Sequence, residues 1–426
     1  TSPGLLSGHG WIERPEADMK ALVFGVEPEV DTPQGDAGRL TRNLAATPMG
    51  LREVDAPSLA GDDWMVLRTR LCGICGSDAK QVLMDYEDEG DNAMTALISF
   101  PQVLGHEVVA TVESVGPAVT DIGPGRRVLL YPSLGCGPRG IDPVCPACTA
   151  GDFSLCHHFT DGRLTPGIHT GNSSDATGGF AEFLPAHRSM VVPVPDDVDD
   201  EVAVLADPFS VALHAVTRNP PPTDATVVVY GAGALGLSTL AVLAALYPSV
   251  RVAAVARWDA QARLAAGLGA EAVDADEPLS VVETLSDWSG GRLHHPWGGL
   301  PFAHPGGVDV VYDTVGSAET MEVAIRLLAS RGTLAQMGVS SPARFEWTPW
   351  YFKELRLVGS NAFGVEEVEG ERRHAFEHYL DLVGDGRVDL RAMLTHTFPL
   401  DEWRSAFGAL ADQAGSGAVK VAFDLR

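Results

Sequence analysis

Short apolar runs broken by glycine, proline and aspartate make up the first half of the chain. Their mixture of β-branched and polar residues is typical of strands. The clearest predicted strands are MKALVF (19–24), WMVLRTR (64–70), EVVATVE (107–113) and RVLLY (127–131). Punctuation of this kind predicts an irregular, mainly β domain up to about residue 215.

The pattern changes near residue 223, where apolar strands begin to alternate with apolar helices. Such alternation predicts a parallel α/β sheet of the doubly wound kind. The predicted strands are TVVVY (226–230), RVAAVA (251–256), VDVVYD (308–313), GTLAQMG (332–338) and LRLVGS (355–360). A last strand, GAVKVAF (417–423), is expected to return to the first domain.

A glycine-rich loop joins the strand TVVVY to an apolar helix. It reads Gly231, Ala232, Gly233, Ala234, Leu235 and Gly236. The first glycine permits a tight turn, the second lets the backbone approach a pyrophosphate, and the third lets helix and strand pack closely. The helix N-terminus then faces the phosphates. A simple packing turn is the alternative, but the flanking strand and helix favour dinucleotide binding.

The residues after the next strand bear on which dinucleotide binds. NAD-binding domains usually carry a carboxylate about 20 residues beyond the glycine loop, which binds the ribose 2′-hydroxyl. Here the strand ends at Ala256 and Arg257 follows. A guanidinium can pair with the 2′-phosphate of NADP, so the sequence predicts NADP in preference to NAD. In the alternative, Arg257 is a solvated loop residue and Asp259 binds the ribose.

The charge of the chain excludes several classes of partner. Fifty-seven acidic and 30 basic residues give a formal charge of −27, which repels nucleic acid and anionic membrane surfaces. No run resembles a signal peptide or an uninterrupted membrane span of about 20 apolar residues. We therefore expect a soluble, cytoplasmic protein whose cysteines stay reduced, where clustered cysteines more often bind metal than form disulfides.

Four of the six cysteines lie in one short stretch, at positions Cys136, Cys145, Cys148 and Cys156. Four thiolates in one loop suit a closed tetrahedral zinc ion. The alternative, that they are unrelated small buried residues, is weak for so dense a cluster. The sequence therefore predicts a structural zinc site.

The other two cysteines, Cys72 and Cys75, lie in the motif CGICGSD. This motif fits a redox dithiol, half of a zinc finger, or one ligand of a catalytic metal site. His106 and Asp207 could supply an imidazole and a carboxylate, which would complete a zinc site with a free fourth position. Singly, they are more often a hydrogen-bonded histidine and a helix-capping carboxylate. Their occurrence together with a dinucleotide-binding fold favours the metal site.

Six motifs occur in an order that resembles the zinc-dependent medium-chain dehydrogenase/reductase family, particularly its polyol, sugar and threonine dehydrogenase branch. They are CGICGSD, GHEVVATVESVG, the cysteine cluster, GGFAEF, LADPFSVALHA and GAGALG. The resemblance runs from Met19 to Arg426. It implies a doubly wound Rossmann domain beside a mainly β, GroES-like catalytic domain, and assembly as a homodimer or homotetramer.

The resemblance also implies a division of the chain into units. We expect a flexible tail (1–18), a catalytic domain (19–215) with a structural-zinc lobe (136–156), a dinucleotide-binding domain (216–360) and a C-terminal segment (361–426) that returns to the catalytic domain.

Individual residues acquire roles from the resemblance. It implies Cys75 and His106 as catalytic zinc ligands, Asp207 as the third protein ligand, and Glu107 as an alternate group beside them. Ser77 stands where the family has the hydroxyl that passes the substrate proton. The implied reaction is hydride transfer between a secondary alcohol or polyol, or its ketone or aldehyde, and NADP(H) or NAD(H).

The chain departs from the family pattern in several places. Cys136 and Cys145 are more widely separated than in the family, and Lys80 stands where many relatives carry a relay histidine. Two segments are longer, near 85–91 and 289–307. The acidic segment 85–91 is either a solvated surface loop or a border of the cleft that favours polar or cationic substrates.

Two other function classes remain open on the sequence. One is an enzyme that uses the dinucleotide transiently, as a lyase or epimerase with internal redox. The other is a non-catalytic NADP-binding redox sensor that acts through the thiols of Cys72 and Cys75, and it predicts oxidation-sensitive cysteines without turnover.

Overall fold

The computed structural model describes residues 18–28, 38–85, 93–274, 277–339 and 343–426. Two large sheets organise these residues. One sheet is mainly antiparallel and is built from the two ends of the chain, and the other is parallel and is built from its middle. The predicted fold class, a doubly wound parallel sheet beside a mainly β domain, is confirmed.

The first part of the chain forms short strands separated by turns, as its glycine and proline punctuation predicts. Its elements are β1 (Asp18–Phe24), α1 (Arg39–Ala45), β2 (Met49–Asp55), β3 (Trp64–Gly73), α2 (Gly76–Val82), β4 (Gln102–Val103), β5 (Glu107–Val115), β6 (Arg127–Leu130), α3 (Cys136–Arg139), α4 (Pro146–Ala150), β7 (Phe183–His187), β8 (Val191–Pro193), α5 (Asp200–Ala203) and α6 (Ala206–Arg218). β3 is the central strand, because β5 and β7 both pair with it antiparallel.

The middle of the chain alternates strands and helices. Its elements are β9 (Thr226–Tyr230), α7 (Ala234–Leu246), β10 (Arg251–Ala256), α8 (Asp259–Gly267), β11 (Glu271–Asp274), α9 (Pro278–Trp288), β12 (Leu293–His294), β13 (Phe302–Ala303), β14 (Val308–Asp313), α10 (Ala318–Leu327), β15 (Leu328–Gln336), α11 (Thr348–Phe352) and β16 (Arg356–Gly359). Six of these strands form the parallel sheet in the order β11-β10-β9-β14-β15-β16.

Both faces of the parallel sheet are covered, which explains why its strands are apolar without interruption. Val227 and Val229 of β9 enter a core that contains residues of α7 and α8. Val228 and Tyr230, on the opposite face of the same strand, enter a second core with residues of α9 and α10. Successive side chains of a strand point to opposite faces, so a strand buried on both sides needs apolar residues throughout.

Several strand boundaries differ from the sequence-based expectation, and the strand after α10 shows the largest difference at its start. The strand predicted at 332–338 extends from Leu328 to Gln336 in the structure. It ends before Met337 because the backbone N–H groups of Met337 and Gly338 both donate to the carbonyl of Asp313, at 2.8 and 3.0 Å. This turn ends the pairing of β15 with its neighbouring strands β14 and β16.

The end of the chain completes the antiparallel sheet. Its elements are β17 (Val365–Val368), β18 (Glu371–His374), α12 (Ala375–Gly384), β19 (Leu394–Phe398), α13 (Trp403–Ala411), α14 (Gln413–Ser416) and β20 (Lys420–Asp424). β20 lies between β19 and β3, so the last strand is an interior strand of the first sheet. Among the described residues, no helix has both the length and the apolar character needed to cross a membrane.

Replacement of Phe423 by alanine is expected to destabilise the fold by about 3–5 kcal/mol. Its ring is fully buried in β20 and packs against Phe180 and Phe407, with centroid distances of 4.9 and 6.2 Å. The matched control is Phe398→Ala, which removes the same atoms from a half-buried site on the paired strand β19. Thermal unfolding should show the larger loss for Phe423→Ala, and equal losses would contradict this packing role.

Candidate functional site

The CGICGSD motif forms the end of β3 and the first turn of α2. Cys75 caps this helix: its sulfur accepts a hydrogen bond from the backbone N–H of Asp78, and the Asp78 carboxylate accepts one from the N–H of Cys75 at 3.1 Å. This reciprocal capping holds the Cys75 side chain at the start of the helix. Ser77 is exposed in the same turn.

Cys75, His106 and Glu107 lie together. Their candidate ligand atoms are all within 4.8 Å of one another. The pairing of Gly73 with Glu107 places the start of β5 beside the end of β3. His106 and Glu107 therefore lie close to Cys75, although they belong to a different sequence motif. A thiol, an imidazole and a carboxylate around one point form a donor set that zinc prefers.

The electrostatics of His106 depend on its acidic neighbours. Its Nδ1 lies 3.6 Å from a carboxylate oxygen of Asp78. Burial alone lowers the pKa of His106, but the charges of Asp78 and Cys75 outweigh burial and raise that pKa well above its usual value. Burial also raises the pKa of Asp78. Asp78 was not among the predicted site residues, although it is the last residue of the CGICGSD motif.

Asp207 lies in the first turn of α6 and is buried. It is not part of the cluster of three, but the charges of His106 and Glu107 both act on it. Burial raises its pKa to about 7, and its Oδ2 has no hydrogen-bond partner among the described residues. A buried carboxylate with an unpaired oxygen fits a bound cation, because the cation would compensate the charge.

Lys420 forms an ion pair with Glu107, and sequence reasoning missed it. Both side chains are 2% exposed. The Lys420 ammonium also donates to the carbonyl of Ile74 at 3.0 Å. Burial lowers the pKa of Lys420, but the charge of Glu107 outweighs burial and raises it. The available signal was a lysine inside the apolar run GAVKVAF, since lysine is almost never fully buried unless it is paired.

Cys72 lies apart from this cluster. It is fully buried, and burial raises the pKa of its thiol well above the usual value. Its sulfur makes a weak contact with the carbonyl of Gly73, at 3.7 Å. Reactive cysteines need an accessible thiolate, so this thiol is poorly suited to a dithiol sensor.

The four cysteines of the lobe are brought together despite the wide spacing of the first two. The sulfur atoms of Cys136, Cys145, Cys148 and Cys156 lie within 4.8 Å of one another. Backbone N–H groups donate to all four of these sulfurs at 3.3–3.5 Å, including Cys145 N to Cys136 and Cys148 N to Cys145. Burial raises the pKa of Cys145, but the N–H groups of His157 and Cys148 outweigh burial and lower it to about 6. Closely grouped sulfurs with N–H donors fit a closed tetrahedral zinc ion.

The extra residues between Cys136 and Cys145 contain a completely buried arginine, Arg139. Its guanidinium donates to five backbone carbonyls at 2.7–3.1 Å. These carbonyls belong to Leu134, Asp161, Leu164, Thr165 and Gly167. Arg139 therefore joins the cysteine lobe to the segment that follows it in the chain.

That segment contains His169, a second residue that sequence reasoning missed. Its ring lies against the ring of His106, with centroids 4.6 Å apart and planes inclined by 51°. No local pattern marks this histidine, since the residues around it, PGIHTGN (166–172), show no hydrophobic periodicity.

The glycine loop occupies the carboxyl end of β9. Gly231 has a φ of 94°, a conformation that favours glycine. A Cβ on Gly236 would lie 1.9 Å from the carbonyl oxygen of Gly231, so this position requires glycine. Beside Gly233 a Cβ would meet nothing within 4 Å, which leaves open space at the N-terminus of α7, where Ala234 and Leu235 begin the helix. This space fits the pyrophosphate of a dinucleotide.

The strand order supports the same location. The sheet reverses its direction of winding between β9 and β14, and ligands of doubly wound sheets bind outside the carboxyl ends of the strands at this point. Arg257 directly follows β10, the neighbour of β9. It is exposed, and its guanidinium lies 5.0 Å from the centroid of the Trp258 ring. Asp259 begins α8.

Lys80 connects the helix that begins at the cluster of Cys75, His106 and Glu107 to this edge of the sheet. It lies on α2, and its ammonium donates to the backbone carbonyl of Val339, just beyond β15. The charges of Cys75 and Asp313 both act on it. Of the acidic segment, Asp85 pairs with Arg39, and residues 86–92 lie outside the described residues.

Two family models match the chain. The model described as "Alcohol dehydrogenase GroES-like domain" matches residues 61–196, and the one described as "Zinc-binding dehydrogenase" matches residues 234–383. Together they cover most of the chain, including Cys75, His106 and the glycine loop from Ala234 onward.

Individual relatives extend the similarity to nearly the full length. (R,R)-butanediol dehydrogenase of Saccharomyces cerevisiae is 26% identical over 388 residues, which is 87% of this chain and 93% of that protein. L-idonate 5-dehydrogenase of Vitis vinifera is 26% identical over 391 residues, covering 90% and 95%. A solved structure from Sinorhizobium meliloti, described as a zinc-binding dehydrogenase bound to NADP, is 27% identical with a TM-score of 0.69, covering 96% of this chain and 100% of that one.

Replacement of Lys420 by methionine is expected to lower the free energy of unfolding by about 3–5 kcal/mol, because Glu107 would remain as an unpaired buried charge. The matched control is the double variant Glu107→Gln/Lys420→Met, which removes both charges and should recover much of the loss. Denaturant unfolding of the wild type, the two single variants and the double variant measures the coupling. Additive losses would contradict the ion pair.

Proposed function

Because the chain belongs to the zinc-dependent medium-chain dehydrogenase family, we propose that it is an NAD(P)-dependent zinc alcohol dehydrogenase. It would oxidise secondary alcohols or polyols and reduce the corresponding ketones or aldehydes. The observation that carries this proposal is the contact of Lys80 with Val339, which directs the helix of the metal-ligand cluster toward the cofactor edge of the parallel sheet. The metal would act on the substrate oxygen and the nicotinamide on the carbon bonded to it, so the two groups must share one cleft.

Cys75, His106 and Asp207 would hold the catalytic zinc ion. Glu107, already paired with Lys420, would stay beside them as an alternate ligand. Zinc, when bound, supplies a Lewis acid that polarises the substrate oxygen and lowers the pKa of an alcohol. The Asp78 carboxylate lies 3.6 Å from Nδ1 of His106, beyond hydrogen-bond distance, and acts on that ring through its charge. The four cysteines of the lobe would hold a second, structural zinc ion.

The remaining groups bind the cofactor and move the proton. The glycine loop would receive the pyrophosphate at the N-terminus of α7, and a nicotinamide held there would supply the hydride chemistry. Ser77 is two residues beyond Cys75 and exposed, so its hydroxyl can take the substrate proton and pass it toward solvent. Lys80 cannot repeat the chemistry of a neutral relay histidine while it is protonated, and its contact with Val339 gives it a different partner.

The substrate class follows from the relatives. One is named for a vicinal diol and another for a sugar acid, and both molecules carry hydroxyl groups on neighbouring carbons. We therefore place this chain among enzymes of small polyhydroxylated compounds. The net charge of −27 disfavours strongly anionic substrates at long range.

Turnover tests the proposal directly. Purified protein mixed with 2,3-butanediol or sorbitol and NADP or NAD should generate reduced nicotinamide absorbance, and a zinc chelator should abolish it. Cys75→Ser should lose the catalytic zinc and the turnover, whereas Cys148→Ser should lose the structural zinc and lower the melting temperature. Cys72→Ser, a control beside the site, should keep both zinc ions by metal analysis. Zinc-loaded protein that binds NADP but turns over no alcohol or carbonyl compound would contradict the proposal.

NADP is proposed as the preferred cofactor, on the basis of Arg257 at the end of β10 and the NADP-bound relative from Sinorhizobium meliloti. Arg257→Ala should lower the ratio of kcat/KM for NADP over NAD by roughly tenfold or more, because the 2′-phosphate loses a charged partner. Arg251→Ala is the matched control, since Arg251 lies on an aromatic ring at the opposite end of the same strand. An unchanged ratio in Arg257→Ala would favour ribose binding by Asp259.

A further inference from the structure

The wall of the site beside His106 is formed by residues that belong to no sequence motif. His169 lies there, in the segment that follows the cysteine lobe, and an isolated bridge pairs it with Ser133. Its ring contacts the ring of His106 at a centroid distance of 4.6 Å. His169 therefore lies next to one of the proposed zinc ligands.

The backbone around His169 is firmly held. The N–H of His169 donates to the side-chain oxygen of Asn172 at 3.0 Å, and the N–H of Thr170 donates to the carbonyl of Pro132 at 2.7 Å. Two residues earlier, Gly167 is bound through its carbonyl to the buried guanidinium of Arg139 at 2.7 Å. A side chain on so constrained a backbone is preorganised, and recognition of a small ligand benefits from such rigidity.

The hydrogen bonding of the ring leaves one nitrogen for a ligand. Nδ1 of His169 lies 2.7 Å from the carbonyl oxygen of Thr170. A carbonyl only accepts, so Nδ1 carries a proton in this contact, and in the neutral ring Nε2 is an acceptor. Within the described parts of the chain Nε2 has no hydrogen-bond partner, and it is not sealed from solvent. An accessible acceptor beside the metal cluster is suited to a hydroxyl donor.

We propose that His169 selects substrates with a second hydroxyl group next to the reacting one, by accepting a hydrogen bond from that hydroxyl at Nε2. This inference rests on the proposed alcohol dehydrogenase function and adds a specificity-determining residue to it. The two hydroxyl groups of a vicinal diol lie on neighbouring carbons. If the reacting hydroxyl lies at the metal beside His106, the second hydroxyl is close to His169, because the two rings are in contact. A simple secondary alcohol leaves the acceptor without a partner, and an unpaired polar group in a binding site is a strong basis for discrimination.

The test compares a diol with the matched alcohol that lacks the second hydroxyl. In the zinc-loaded wild type, kcat/KM for (R,R)-2,3-butanediol should exceed that for 2-butanol. His169→Phe keeps a planar ring but removes the acceptor, so the ratio of the two kcat/KM values should fall about 10- to 100-fold. His169→Gln offers a side-chain carbonyl and should restore part of the ratio. His396→Phe makes the same change on the outer strand β19 and should leave the ratio as in the wild type.

Zinc content and the dissociation constant for NADPH, measured on each variant, separate specificity from structure. Unchanged values with a reduced diol ratio support the inference. Equal losses for both alcohols would show that His169 only supports the fold. Loss of zinc from His169→Phe would make His169 a metal ligand. Either result would overturn the inference and leave the proposed function intact. A wild type that turns over neither of these alcohols but oxidises other compounds would overturn the inference, and one that turns over no alcohol or carbonyl compound would contradict the proposed function as well.

Discussion

Compensation of buried negative charge is the constraint on which this structure depends. Asp78, Glu107 and Asp207 are all nearly inaccessible to water, and carboxylates in such surroundings need positive partners. Lys420 supplies one of them. To deliver it, the chain must return from the parallel sheet and insert β20 beside β3. The charge balance of the site therefore depends on the placement of the last strand inside the first sheet.

Features that depend on local order were predictable from the sequence. The strands of the parallel sheet could be recognised because burial on both faces requires continuous apolar runs. The glycine loop could be recognised because its steric requirements act within a single turn, as the contact of Gly236 with the Gly231 carbonyl shows. The fold class followed from the alternation of these elements, since strands joined by helices form parallel sheets.

Features that depend on register and on distant contacts were not predictable. The lysine in GAVKVAF could be expected to have a partner, but only the pairing of β20 with β3 makes that partner Glu107. The position of His169 depends on hydrogen bonds from Arg139 to the backbone carbonyls of Thr165 and Gly167. Every residue has a backbone carbonyl, so the sequence does not show which carbonyls an arginine will bind. Similarly, the sequence predicted that His106, Glu107 and Asp207 share one site with Cys75. It could not show that Glu107 lies in the same cluster as Cys75 and His106 while Asp207 lies outside that cluster.

The wide spacing between Cys136 and Cys145 has a consequence for the motions of the molecule. Arg139 lies between these two cysteines and donates hydrogen bonds to five carbonyls. If any of these carbonyls moves away, the buried guanidinium loses a hydrogen-bond acceptor, which is costly in a buried site. Segments linked in this way open as one cooperative unit rather than by gradual fraying. A fluctuation that loosens the cysteine lobe would thus loosen the wall beside His106 as well. The cysteine lobe thus stabilises the segment beside His106, although none of its sulfurs belongs to the cluster of Cys75, His106 and Glu107.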